Sequence, residues 1–80
     1  MTAEEIVSFH DERPFRPFVI HLADGRSFVV HHPEFLTRSP DVSVLFYFHD
    51  GRRHESLDRE LITSLEQAKD APKAKPRQKR

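Results

Sequence analysis

FVIHLADGRSFVV, residues 18–30, decides the fold. Two short apolar runs flank Asp24-Gly25, the dipeptide that most favours a tight β-hairpin because its tip needs positive φ. If those two residues form the whole loop, Ala23 faces Arg26, His21 faces Phe28 and Val19 faces Val30, with Ile20 opposite Val29 on the other side of the ribbon.

Working outward, the same signal returns at Asp50-Gly51. Residues 42–49, VSVLFYFH, lead into it as the most apolar strand of the chain, and residues 52–56 follow as a polar, edge-like partner in which His54 falls opposite Tyr47. Residues 57–60 read as a tight turn and 61–66, LITSLE, as a short closing strand. Between the hairpins, residues 33–40 form a connector with Phe35 and Leu36 as core plugs. Upstream, residues 2–12 read as a helix. Thr2 and Glu5 have capping-box spacing, Glu4 and Glu5 suit the positive end of the helix dipole, and Ala3, Ile6, Val7 and His10 share a face.

RPFRPF, residues 13–18, lies between helix and strand. Pro14-Phe15-Arg16-Pro17 has the form of a PxxP ligand. A proline at each element boundary is also what helix-stop and strand-start chemistry wants, with Phe15 and Phe18 anchoring the corner, so the stretch reads as a hinge. The sum is a mainly β domain with an N-terminal α-helix. It is expected to be a five-stranded antiparallel meander curled into a small barrel over residues 1–66, the helix plugging an open end.

The formal net charge of zero conceals a split. Residues 1–66 hold seven arginines, no lysine and twelve acids, whereas residues 67–80 hold four lysines, two arginines and one acid. That last segment has no large apolar residue and is expected to be a disordered basic tail. Cysteine is absent, which excludes disulfides, thiolate metal sites and cysteine nucleophiles and suits a reducing cytoplasm. The acidic, amphipathic start predicts no secretory signal, and no apolar run approaches the ~20 residues of a membrane span.

No pattern for catalysis emerges. Ser27, Ser43, Ser56 and Ser64 lack an elbow motif, and glycine occurs only at the two hairpin tips, which leaves no phosphate-cradling loop. His31-His32-Pro33-Glu34 invites a metal reading, but adjacent strand residues point to opposite faces. No enzyme activity, metal or cofactor is expected.

Two features point to binding. Val44, Phe46 and Phe48 share one face of their strand while Leu45 and Tyr47 share the other, so one apolar face needs a cover. All five are candidate interface residues for self-association or a protein partner. In the tail, Lys69, Lys73, Lys75, Arg77, Lys79 and Arg80 are candidate phosphate contacts, with no aromatic among them for base stacking.

PFRPFVIHLADGR, HPEF and ITSLE together resemble a set of short bacterial proteins without established activity, over about residues 3–66. The strand order is also similar to the Sm-like barrels, Hfq among them, and to SH3-like barrels. The Sm-like resemblance implies an RNA-binding role with the tail as an electrostatic arm. Residues 57–60, where Hfq-like proteins carry a basic uridine-binding stretch, are here acidic with one Arg59. A non-catalytic interaction module is therefore the expectation, RNA binding the alternative.

Overall fold

The computed structural model describes residues 1–49 and 52–68. The elements run α1 (Ala3–His10), β1 (Phe18–Leu22), β2 (Ser27–Val30), a 3₁₀ turn (Pro33–Phe35), β3 (Leu36–Arg38), β4 (Val44–Phe48), β5 (His54–Asp58), a second 3₁₀ turn (Arg59–Leu61) and β6 (Ile62–Gln67).

Helix α1 begins as its sequence requires. The Thr2 hydroxyl accepts from the Glu5 N–H at 3.2 Å, and the Glu5 carboxylate accepts from the Thr2 N–H at 3.1 Å. These backbone and side-chain bonds from Thr2 hold the Glu5 carboxyl below its ordinary range. Eight residues make too short a helix to stand alone, so tertiary contacts must hold it. Ile6 is buried, Phe9 meets the Phe18 ring edge-on at 5.5 Å, and Phe15 packs on Phe18 from the corner at 5.9 Å. The Arg13–Pro14 peptide is cis.

The strands form two three-stranded sheets, β2-β1-β6 and β3-β4-β5, all antiparallel. This corrects the expected five-stranded closed meander in two ways. There are six strands, because Leu36–Arg38 in the supposed connector pairs with β4. No ladder joins the two sheets among the described residues. As a curled meander requires, the last strand pairs back with the first, Phe18 opposite Gln67, so β1 is central in its sheet.

The hairpin register is also corrected, by one residue. Ile20 lies opposite Phe28 and Phe18 opposite Val30. The loop holds three residues: the Leu22 N–H bonds to the Arg26 carbonyl at 2.9 Å, the Gly25 N–H to the Leu22 carbonyl at 3.0 Å, and Gly25 takes φ +96°. A three-residue loop with glycine left-handed at its end is the next most common hairpin. Asp24 supports it by accepting the Arg26 N–H at 3.0 Å. The physical reason is parity, since only this register puts Phe18, Ile20, Phe28 and Val30 on one face. The second hairpin behaves alike: the His49 N–H bonds to the Arg53 carbonyl, and His54 lies opposite Phe48 rather than Tyr47. Residues 57 and 58 continue β5 instead of turning.

The two sheets and α1 enclose one core in which Phe18, Ile6, Ile20, Leu45, Leu57 and Val30 are fully buried. Val42 adds its side chain from the β3–β4 loop at φ +60°, a strained conformation for a β-branched residue. Asp41 fixes that loop, accepting from the Ser43 hydroxyl and N–H and from the Ser39 hydroxyl; these bonds, the Ser43 hydroxyl first, lower its carboxyl pKa.

Candidate interaction surface

The candidate surface is the face of β3-β4-β5 turned away from the core. Alternation along β4 sends Leu45 and Tyr47 inward, where their cross-strand neighbours include Leu57 and Leu36. Val44, Phe46 and Phe48 therefore point outward. They are half-buried and stand outside the packed core cluster. Helix α1 does not cover them. It lies on the core side, where Ile6 is buried and Arg38, which shares the face of Leu45, reaches it.

The outward row has a defined frame. Phe46 sits between Thr37 and Ser56, Val44 lies opposite Asp58, and Phe48 opposite His54. The exposed His54 ring tilts over Phe48 at 5.7 Å and approaches Phe46 at 6.4 Å. Asp58 uses one carboxylate oxygen to accept the Glu60 N–H at 2.9 Å. Of the five sequence-chosen interface residues, the structure brings three together at the surface and places Leu45 and Tyr47 in the core. His54 and Asp58, which end the row, escape the sequence reading because they depend on the hairpin register.

Long-range polar contacts keep the sheet that carries this face in place. At one end His10 joins helix and sheet. Its Nε2 lies 2.9 Å from the Pro33 carbonyl, which only accepts, and its Nδ1 lies 2.9 Å from Arg38, which only donates. In these contacts Nε2 donates and Nδ1 accepts. Arg38 also donates to Asp11 at 3.1 Å, and that hydrogen bond lowers the Asp11 carboxyl pKa. At the other end Glu55 accepts from Arg26 of the first hairpin at 2.8 Å and from His49 at 2.9 Å. Arg26 lies 5.7 Å above the Phe28 ring. Between them the Tyr47 hydroxyl donates to the Val29 carbonyl at 2.7 Å, joining the two sheets. Burial raises the Tyr47 pKa.

The remaining polar residues stay apart. His21 meets Glu66 across β1–β6 at 2.8 Å, and exposed His31 and His32 lie in the β2–β3 connection, His32 edge-on to Phe35. Among the described residues no three histidine, aspartate or glutamate side chains converge as metal ligands. Ser27, Ser56 and Ser64 are exposed on three different strands, and Ser43 donates to Asp41. RPFRPF is absorbed structurally: Phe18 is fully buried, and the Pro17 carbonyl accepts the Ala68 N–H at 3.0 Å. The six tail cations, Lys69, Lys73, Lys75, Arg77, Lys79 and Arg80, lie outside the described residues. Among the described residues no helix is long and apolar enough to cross a membrane.

No protein-family model, curated protein or solved structure matches the chain.

Proposed function

We propose that this protein is a non-catalytic interaction module that associates, with itself or with another protein, through the outward face of β4. One observation carries the reading: Val44, Phe46 and Phe48 form an apolar row on the outward face of β4, outside the packed core cluster of the described residues. A sheet face left to water normally alternates with polar residues, and apolar patches on small domains mark interfaces. Association also offsets the weakness of a small core that has no disulfide to support it.

A reading as an SH3-like or Sm-like module is compatible with one N-terminal helix and two small antiparallel sheets. The second 3₁₀ turn stands before the last strand, which returns to pair with the first. The cysteine-free sequence fits action in the cytoplasm.

The test is light scattering on the full chain across a dilution series, with refractive index as the concentration signal because the chain has one tyrosine and no tryptophan. A mass above the 9.4 kDa monomer, reduced by Phe46→Ser, is the expected result for self-association. A monomer at every concentration, with no surface that binds an apolar dye, overturns the proposal. Excess absorbance at 260 nm would instead favour a nucleic-acid partner.

A further inference from the structure

The outward face of β4 and β5 has a symmetry that identifies its partner. Phe46 and Ser56 stand side by side at its centre. Two residues away in one direction lie Val44 and Asp58, and two residues away in the other lie Phe48 and His54. The face is apolar along its axis and of opposite polar character at its ends. Those ends are about 13 Å apart, four residues at the rise of a strand.

We propose that the occupant is a second copy of this chain, packed face to face about a two-fold axis. The axis lies between the sheets, perpendicular to β4 and level with Phe46. The proposal rests on the self-association reading above and specifies its geometry. Such an axis reverses strand direction and leaves the sideways position unchanged. Phe46 then meets its own copy, Phe48 meets the copy's Val44, and His54 meets the copy's Asp58, twice by symmetry. An axis along the strands would lay β5 over β3 and leave both polar ends without a counterpart.

The chemistry at the ends is suited to this pairing. His54 is exposed and makes ring contacts but no hydrogen bond among the described residues, so its ring N–H is available. Asp58 spends one oxygen on the Glu60 N–H and, among the described residues, keeps the other. Thr37 and Ser56, flanking Phe46, are short enough to let the two aromatic rows approach to the ~10 Å spacing of packed sheets.

The test uses two variants of the full chain. His54→Asp puts acids at both ends of the face, and Asp58→His puts histidines at both ends. Each alone is expected to dimerise roughly tenfold more weakly, as two His–Asp contacts are lost and replaced by Asp–Asp or His–His pairs. Mixed one to one, the two restore all four complementary ends, and a heterodimer of near wild-type affinity is expected by sedimentation equilibrium. If Asp58→His folds poorly for loss of its bond to Glu60, Ser56→Cys serves instead. Level with the axis in a chain with no other cysteine, it is expected to cross-link to its own copy through a short bismaleimide, whereas Ser64→Cys on the other sheet is not. A monomeric wild type defeats the self-association reading itself. A dimer indifferent to both charge variants, or no gain on mixing together with no Ser56→Cys cross-link, leaves association standing and overturns this geometry.

Discussion

Leu45 and Phe46 are adjacent on β4, and truncating each to alanine is expected to give opposite results. Leu45 is fully buried between the sheets. Removing its side chain loses the transfer energy and leaves a cavity, ~2–5 kcal/mol. A domain of this size holds only ~3–10 kcal/mol in total, at ~0.05–0.15 kcal/mol per residue. Leu45→Ala is therefore expected to consume a fifth or more of the stability. At ~4–8 °C per kcal/mol, the melting temperature falls by at least about 8 °C. Phe46 already contacts solvent on the outward face, so Phe46→Ala costs ~1 kcal/mol or less in the isolated chain. Its effect grows with protein concentration, because association stabilises the folded state by mass action. The assay is a circular-dichroism melt of each variant at a low and a high concentration. If Phe46→Ala costs as much as Leu45→Ala at the low concentration, the outward row is packed within the chain and the interface argument collapses.

Three further predictions follow from the local chemistry. Burial holds the Tyr47 pKa above its ordinary 10.0, so this contribution to stability is intact below that value and is lost as pH rises through the shifted one; absorbance at 295 nm should show the single tyrosine ionising only as the fold opens. Glu5, Asp11, Asp24 and Asp41 all have folded pKa values below their ordinary range. Asp24 owes its shift chiefly to the Arg26 N–H. Their stabilisation is thus present above about pH 4 and lost as pH falls through the folded values, and urea midpoints measured through that window should decline, less steeply for Asp41→Asn. Gly25→Ala meets no atom within 4 Å but forces alanine to φ +96°, so it should cost ~1–2 kcal/mol in a denaturant titration; a larger loss would show that the loop is more tightly packed than its open surroundings indicate.

Much of this fold is legible along the chain, and what escapes does so for particular reasons. Thr2 and Glu5 announce the helix start, and the two Asp-Gly tips announce the hairpins. The register is ambiguous because Asp-Gly suits both a two-residue loop and the end of a three-residue loop. Parity among Phe18, Ile20, Phe28 and Val30 decides between them. Strand β3 is hidden because three residues after a proline-led turn are too few to show a period. The apolar character of β4 is plain, but which face turns outward is not, since both are apolar; Leu36 and Leu57 on the flanking strands settle it. The bridges from Glu55 to Arg26 and from His10 to Arg38 join residues far apart in sequence, and no local pattern marks them.

The pairing of β6 with β1 has a consequence for how the chain reaches this state. Phe18–Leu22 has one neighbour within a few residues, across the first hairpin, but its other edge is satisfied only by Ile62–Gln67. During synthesis the first hairpin can form early, yet it must wait with an apolar strand edge bare until some forty further residues have been made. Such edges are templates for pairing with foreign strands, and closures between distant segments are slow. The vulnerable species of this protein is thus the growing chain that already has β1 and does not yet have β6.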